Sequence, residues 1–440
     1  MASLTYLNWN QTHDVLAVAT TRGLRLYSTD PFELITFTSD DEIALVEQLF
    51  STSLVAIVLT PRLLRIVNTK RHSTICELTF HGMVVAVKMN RKRLVVMLEE
   101  IVFMYDISNM SLLHQQTTPL NPAGICALSP NSEHNYLALP HFQKAAPNLQ
   151  TQPTHVPKSV AKEPTSGDVL LYDLNKMEEV TVIQAHQAPL SCLALNKDGT
   201  LMATSSEKGT VIRIFSLPAG KKLYQFRRGS MPAKIYCMTF NAASTLLCVS
   251  SATETVHVFK LAPPSSSSSS SGVRDSHGGH AASPPSSPLQ STFSGRERSV
   301  SPSTSEDRSE SADPDGDPAA IHGARQPRQP GFMSFMRRTS QNVSTGLVTR
   351  AAGYLPSSVT EMWEPQRDFA WMRIPRSANG MPVRCVVAMA NHAPHIMVAT
   401  NEGDFYVYNV DLEKGGEGTL VKRYDYLVSE ANGLAVIFTV

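Results

Sequence analysis

The chain has 440 residues, 42% of them hydrophobic, and its 39 lysines and arginines against 38 aspartates and glutamates leave a formal net charge of +1. This near-neutral balance excludes a protein that coats nucleic acid by charge alone, so we expect no nucleic-acid partner. The six cysteines are scattered without a CxxC pair. Such a distribution is typical of small buried side chains and predicts neither a metal site nor a cofactor.

The N-terminal segment "MASLTYLNWNQTHD" has neither the basic region nor the apolar region of a secretory signal. No apolar run in the sequence approaches the ~20 residues of a membrane-spanning helix. We therefore expect a cytosolic protein whose contacts with membranes are peripheral.

A short motif of alternating apolar residues, ending in an aromatic and then a polar residue, recurs mostly in steps of about forty residues. Most copies follow another apolar segment of strand length, such as "DVLAVAT" or "HIMVAT". Four short strands per repeat are typical of a propeller blade, so seven copies predict an all-β fold, a seven-bladed β-propeller. The copies are "LRLYST" (24–29), "LRIVNT" (64–69), "VFMYDI" (102–107), "VLLYDL" (169–174), "VIRIFS" (211–216), "TVHVFK" (255–260) and "DFYVYN" (404–409).

Two steps between copies are too long, and each contains a polar segment with too few apolar residues for a packed core. The first segment is 143–167, and the second starts at "LAPPSSSSSSSG" and runs past residue 350. We interpret residues 1–261 as blades one to six, 262–352 as a long disordered insert in the sixth blade, and 353–440 as the rest of blade six and blade seven. The closure of the ring stays open, because the seventh repeat shows no obvious partner for its last strand.

Two adjacent arginines, Arg227 and Arg228, end a segment that is predicted to be a strand. Neighbouring strand residues point to opposite faces, so each arginine should face a different groove. Hydroxyls, backbone N–H groups and guanidinium groups together suit phosphate oxygens. Gly229 is expected to relieve crowding and to permit an unusual backbone turn. The groove-lining residues are Ser206, Thr210 and Arg213 on one side and Ser251, Thr255 and His257 on the other.

The residues alone leave alternatives open. An arginine pair on an edge strand is more often solvated, or guards the edge against pairing, than a ligand site. A scaffold that binds only proteins, with structural arginines, is therefore the competing hypothesis. An enzyme is not expected, because the sequence has no phosphate-loop glycine motif, no HExxH and no GxSxG elbow.

Three segments in register, "SSEKGTVIR" (205–213), "FRRG" (226–229) and "TETVHVFKL" (253–261), resemble the PROPPIN family, seven-bladed propellers that bind polyphosphoinositides. The resemblance extends over essentially all seven repeats. It implies two sites on the propeller rim, for phosphatidylinositol 3-phosphate and phosphatidylinositol 3,5-bisphosphate, each using one arginine of the pair. Carried over residue by residue, the first site comprises His186, Thr204, Ser206, Gly209, Thr210, Arg213 and Arg227, and the second comprises Arg228, Ser251, Thr255 and His257, with Gly229 shaping the turn.

The end of the long insert has no acidic residue between Pro318 and Thr360 but contains five arginines. Its apolar residues fall on one side of a helical projection, which predicts a basic amphipathic helix that lies in the membrane interface. The resemblance implies the same, because members of the family insert this loop into membranes. A disordered linker with chance apolar residues is the alternative. The predicted membrane-inserting residues are Phe332, Met336, Val343, Leu347 and Tyr354.

The segment "TPR" (60–62) predicts a turn between two strands of the second blade. The resemblance implies that Pro61 and Arg62 contribute to binding the lipid-transfer protein autophagy-related protein 2.

The implied function is a phosphoinositide-reading adaptor of autophagy, peripheral on preautophagosomal, vacuole and endosome membranes. A membrane-remodelling effector at the vacuole or endosome is a second possibility, and the serine-rich insert favours a fungal branch of the family.

Overall fold

A computed structural model describes residues 3–38, 42–142, 165–261, 365–377, 379–427 and 436–439. All regular elements of these residues are β-strands, which form seven separate sheets within a compact unit of residues 1–265 and 356–440. The first strands of neighbouring sheets contact one another around the ring, including those of the first and last sheets. The prediction of an all-β, seven-bladed propeller is confirmed.

The first five blades each consist of four consecutive antiparallel strands, and the sixth and seventh each gain a fifth strand. In the sixth blade that extra strand is β28, which pairs in parallel with β24 and comes from the seventh repeat. The strands are β1 (Leu4–Trp9), β2 (Val15–Thr20), β3 (Gly23–Thr29), β4 (Phe32–Phe37), β5 (Leu45–Gln48), β6 (Leu54–Thr60), β7 (Leu63–Asn68), β8 (Ser73–Thr79), β9 (Ala86–Met89), β10 (Arg93–Met97), β11 (Ile101–Asp106), β12 (Leu112–Thr117), β13 (Ala127–Leu128), β14 (Tyr136–Phe142), β15 (Thr165–Asp173), β16 (Glu178–His186), β17 (Leu190–Leu195), β18 (Leu201–Ser206), β19 (Val211–Ser216), β20 (Lys222–Arg227), β21 (Ile235–Phe240), β22 (Leu246–Ser251), β23 (Thr255–Lys260), β24 (Ala370–Arg373), β25 (Cys385–Met389), β26 (His395–Thr400), β27 (Asp404–Asn409), β28 (Gly416–Glu417), β29 (Thr419–Asp425) and β30 (Val436–Thr439).

The seven predicted motif copies are the third strands of the blades, β3, β7, β11, β15, β19, β23 and β27. Six copies carry a buried aromatic side chain at the same position, and Val67 replaces it in the second copy. The ring of Phe259 in blade six, for example, stacks on Phe226 of blade five with the ring centroids 4.8 Å apart. Burying such a side chain contributes about 2–3 kcal/mol, so the repeated aromatic holds adjacent blades together.

The ring closes by direct packing of blade one on blade seven. The Tyr27 hydroxyl and the Arg25 guanidinium both donate to the backbone carbonyl of Tyr426, at 2.9 and 3.2 Å. The rings of Phe32 and Phe405 stack across the same junction at 4.3 Å. Blade seven is built from strands of its own repeat, β25, β26, β27, β29 and β30. The last strand, whose partner the sequence left open, is β30, and it pairs with β29. Blade seven itself packs on the face of blade one.

The two predicted inserts fall between strands of a blade. The first lies between β14 and β15, but Thr165 to Gly167, assigned to it from composition, belong to β15, where Thr165 pairs with Phe142 of β14 and Gly167 with His186 of β16. That boundary was wrong, because three small polar residues carry no apolar periodicity. The long insert falls between β23 and β24 of the sixth blade. Its predicted membrane-inserting residues, Phe332, Met336, Val343, Leu347 and Tyr354, lie outside the described residues.

Candidate functional site

One face of blade five gathers most of the residues predicted for the first site. In the strand register Thr204 lies opposite Arg213, and Arg213 lies opposite Gln225, so these three side chains form one row. Arg227 lies opposite Val211, two residues further along β20, and therefore shares this face. We call this face of blade five, together with His186 at the end of β16, the first groove.

His186 joins blade four to this row of side chains. Its Nε2 lies 2.9 Å from the Thr204 hydroxyl, and its Nδ1 lies 3.3 Å from Nη1 of Arg213. Arg213 also donates to the Ala185 carbonyl at 2.6 Å and to Oε1 of Gln225 at 2.9 Å. Because a guanidinium can only donate, Nδ1 accepts and Nε2 carries the proton. The network fixes the direction of Arg213 and leaves His186 as a positioning residue.

The imidazole of His186 is neutral near pH 7. Burial, and next to it the positive charge of Arg213, lower the pKa of His186 to about 4. The neutral ring suits an acceptor for Arg213, whereas an imidazolium would repel it. Anion binding in the first groove therefore relies on the arginines and hydroxyls and not on a charged histidine.

The lowered pKa predicts a loss of stability in weak acid. The unfolded chain takes up a proton on His186 below pH 6.5, whereas the folded chain takes it up only near pH 4. The contribution of this group to the free energy of unfolding is therefore fully present above pH 6.5 and decreases below it. We expect this group to contribute a loss of about 1–2 kcal/mol between pH 7 and pH 5. Urea unfolding at both pH values should show a smaller loss in His186→Gln than in the wild type, and equal losses would contradict the burial of this ring.

Arg228 lies just beyond β20, and its side chain is buried, in contrast to that of Arg227. It is 6% exposed, and its guanidinium donates to the carbonyls of Gly209 at 2.8 Å and Met231 at 2.6 Å and contacts the Thr253 hydroxyl at 3.4 Å. Burial lowers its pKa, although an arginine so placed stays charged. The side chain of Arg227 is exposed, and it has no hydrogen bond or ion pair with any other described residue. The adjacent arginines thus occupy different environments, as alternation predicts: Arg228 is held by its neighbours, whereas the guanidinium of Arg227 is exposed.

The second groove repeats the first on the next blade. In blade six His257 lies opposite Trp371, and Thr255 lies opposite Arg373. The His257–Trp371 pair corresponds to the Arg213–Gln225 pair of blade five, and the Thr255–Arg373 pair corresponds to Val211–Arg227. Ser251 faces the same side, and its hydroxyl is 2.8 Å from that of Thr253. We define the second groove by the following side chains: Arg228, Ser251, Thr253, Thr255, His257 and Arg373.

Asp368 fixes the histidine of the second groove. One of its carboxylate oxygens, Oδ2, lies 2.8 Å from Nδ1 of His257, whose other nitrogen has no hydrogen-bond partner among the described residues. Asp368 belongs to a short segment that returns from the insert along blade five, where the carbonyl of Gln366 accepts from the Arg227 backbone N–H at 2.8 Å. This segment therefore contacts a residue of each groove.

Replacing Asp368 by alanine should weaken the second groove selectively. Without the carboxylate the His257 ring loses its fixed orientation. In an Arg227→Thr background, where only the second groove binds, we expect a threefold to tenfold lower affinity for a 3-phosphorylated inositol headgroup. In an Arg228→Thr background the same change should have no effect on binding. Fluorescence anisotropy with a labelled short-chain lipid measures both. Equal losses in the two backgrounds would mean that Asp368 supports the fold generally.

Gly209, and not Gly229, is the glycine that the backbone requires. Gly209 has a φ of +59°, and a Cβ there would lie 1.9 Å from the Ala233 carbonyl oxygen. Gly229 has no positive φ, and a Cβ at that position would meet nothing within 4 Å. The structural reason predicted for Gly229 is therefore wrong. The tight turn lies between β18 and β19 of the same blade, where the Gly209 carbonyl accepts from Arg228.

Sequence reasoning missed four residues of these grooves. They come from turns and outer strands whose pairing no local pattern reveals. Arg373 is the most informative, because its segment "WMR" (371–373) shares only the arginine with the equivalent segment "QFR" (225–227) of blade five and follows the insert. The missed residues are Gln225, Thr253, Asp368 and Arg373.

The predicted partner-binding residues lie on another blade. Pro61 and Arg62 form the exposed turn between β6 and β7, and their carbonyls accept from Val84 at 2.6 Å and Phe80 at 3.0 Å. The turn predicted from "TPR" is confirmed, and its side chains are open to a partner. Within the described ranges no group of three or more His, Cys, Asp or Glu side chains could hold a metal ion, and no helix is long and apolar enough to span a membrane.

Comparison with known proteins places this chain in a family. The PROPPIN family model matches residues 3–148, 154–276 and 338–427. Autophagy-related protein 18 of Phaeosphaeria nodorum is 52% identical over 427 residues, covering 96% of this chain and all of the relative, and that of Aspergillus clavatus is 50% identical over 430 residues with the same coverage.

Solved structures agree with the fold. Kluyveromyces lactis Hsv2 has a TM-score of 0.63 at 15% identity and covers 97% of this chain and all of its own. The propeller in a structure titled "Complex of KlAtg21 with coiled-coil of AgAtg16" has a TM-score of 0.62 at 26% identity, over 96% of this chain and 99% of that one. The fungal branch expected from the insert is confirmed by the curated relatives. The chain belongs to the PROPPIN family, phosphoinositide-binding β-propellers of autophagy.

Proposed function

We propose that the protein is a non-enzymatic adaptor that reads phosphatidylinositol 3-phosphate and phosphatidylinositol 3,5-bisphosphate on autophagic membranes. The observation that carries the proposal is the pair of repeat-related grooves, one on blade five and one on blade six. Each has hydroxyl side chains and an arginine of the "RR" pair. A phosphate is held by several donors, and the hydroxyl and guanidinium groups of each groove support this assignment.

In the first groove the exposed guanidinium of Arg227 is the group that meets the headgroup. Ser206 and Thr210 add hydroxyls beside it, and Gly209 lets the backbone turn closely. Arg213 is partly buried, and burial lowers its pKa, so a phosphate there would offset the cost of desolvating the cation. His186 and Thr204 hold Arg213 in place.

In the second groove the donors are held more rigidly. Arg228 is fixed by two carbonyls and the Thr253 hydroxyl, which places its charge next to Thr253, whose hydroxyl contacts that of Ser251. The exposed Arg373 takes the position that Arg227 has in the first groove. We infer that the two arginines 228 and 373 flank the headgroup, with the free nitrogen of His257 as a further contact.

Two such sites on one rigid body act together, because binding at the first raises the effective concentration for the second. The insert of blade six would add a membrane-inserting helix. The exposed Pro61 and Arg62 would then recruit autophagy-related protein 2 to the forming autophagosome, with further roles at vacuole and endosome membranes. The titled complex of a related propeller with a coiled coil supports a family role in holding protein partners.

Flotation with liposomes tests the proposal. We expect the variant R227T/R228T to lose at least 90% of its binding to liposomes that contain phosphatidylinositol 3-phosphate. The matched control is K221T/K222T, which removes the same charge near the start of β20 and should bind like the wild type. Retained 3-phosphate-dependent binding by the double arginine variant would favour the protein-only scaffold.

A further inference from the structure

Two loops beside the proposed headgroup grooves carry the same short motif. The segment "SMPAK" (230–234) connects blade five to blade six, and "GMPVR" (380–384) makes the equivalent connection from blade six to blade seven. Each loop has the order Met-Pro-x-basic directly before the first strand of the next blade. The repetition indicates a common role at this structural position.

The methionines of both loops are strongly exposed. Met231 is 71% exposed and Met381 is 69% exposed, the two highest values among the large hydrophobic side chains of the described residues. The next is Ile35 at 53%. Single exposed apolar residues are ordinary, but two strongly exposed ones at equivalent positions of neighbouring loops indicate contact with an apolar environment outside the protein.

The two loops are fixed on either side of the turn between β22 and β23. In the first loop the Met231 carbonyl accepts from Arg228 at 2.6 Å, and the Lys234 carbonyl accepts from the Ala252 N–H at 2.9 Å. In the second, Arg376 pairs with Glu254 at 2.9 Å. Arg228, which we assign to the second groove, therefore also holds the loop that presents Met231.

The charge of these loops favours an anionic lipid surface over other partners. Segments 228–234 and 375–384 contain basic residues and no acidic residue. Their basic side chains Lys234 and Arg384 are exposed beside the methionines. Apolar side chains flanked by basic ones are typical of segments that enter the boundary between headgroups and acyl chains. The unbranched thioether of methionine adapts readily to such an irregular environment.

We propose that Met231 and Met381 are two fixed membrane-contact points that enter an anionic bilayer while the neighbouring grooves hold phosphoinositide headgroups. This surface is separate from the helix predicted in the insert, and the inference rests on the proposed function. The rigid loops would set the depth and tilt of the propeller on the membrane.

Tryptophan scanning tests the contact directly. In M231W and M381W we expect the emission of the added tryptophan to shift to the blue, and to be quenched by brominated acyl chains, on vesicles of phosphatidylcholine, phosphatidylserine and phosphatidylinositol 3-phosphate. The matched control is M83W, at the equivalent connection after blade two, where Met83 is 46% exposed. It should show neither effect. The parent protein has three tryptophans, so its spectrum serves as the baseline.

A second variant separates this inference from the proposed function. M231S/M381S should partition to the same vesicles about tenfold more weakly per methionine removed. Its affinity for soluble, short-chain phosphatidylinositol 3-phosphate should equal that of the wild type. Unchanged emission in M231W and M381W bound to vesicles, or full vesicle binding by M231S/M381S, would overturn the inference. Failure of the wild type to bind the soluble lipid would instead refute the proposed function.

Discussion

Arg228→Ala is expected to lower the free energy of unfolding by about 2–4 kcal/mol, whereas Arg227→Ala changes it by less than about 0.5 kcal/mol. Arg228 is buried and donates to the carbonyls of Gly209 and Met231. Removing it leaves these carbonyls without their partner and opens a cavity between blades five and six. Arg227 is exposed, so its loss should affect ligand binding alone.

Urea unfolding followed by tryptophan fluorescence measures both variants. Arg228→Lys is a useful comparison, because it keeps the charge but cannot reach the two carbonyls with a rigid fork. It should recover only part of the lost stability. Equal stability of the Arg227 and Arg228 alanine variants would contradict the different burial of the two side chains.

Gly209→Val is expected to be at least as damaging, with a loss of about 3 kcal/mol or more. The residue has a left-handed backbone conformation, which a β-branched side chain rarely adopts, and its Cβ would collide with the Ala233 carbonyl. Because the Gly209 carbonyl accepts from Arg228, a shift of this turn also displaces that arginine. Both grooves should therefore lose affinity together.

Gly229→Ala provides the contrast, since a Cβ there meets nothing within 4 Å. We expect its thermal unfolding and its liposome binding to match those of the wild type. A strongly destabilised Gly229→Ala, with a tolerated Gly209→Val, would show that the backbone of the two turns has been assigned the wrong way round.

Much of the fold follows from local pattern. The seven motif copies could be located because each third strand alternates apolar and polar residues and ends near a buried aromatic such as Tyr27 or Phe259. The grooves were partly predictable for the same reason. Alternation along β20 separates Arg227 from Arg228, and the hydroxyl-rich ends of β18 and β22 flank them in sequence.

The remaining features depend on contacts that are distant in sequence. Arg373 and Asp368 reach the second groove only because β24 pairs with β23 across the long insert, and composition carries no information on that pairing. The different burial of the two arginines depends on where β20 ends, since Arg228 turns into the junction between blades. The closure of blade one on blade seven likewise depends on packing of residues from the two ends of the chain.

The most direct test is to count headgroups per chain. Native mass spectrometry or calorimetry with short-chain phosphatidylinositol 3-phosphate should give two bound lipids for the wild type and one each for Arg227→Thr and Arg228→Thr, measured where both variants are folded. The double variant should bind none. A single lipid on the wild type, or loss of both lipids in Arg227→Thr, would contradict the assignment of one arginine to each groove.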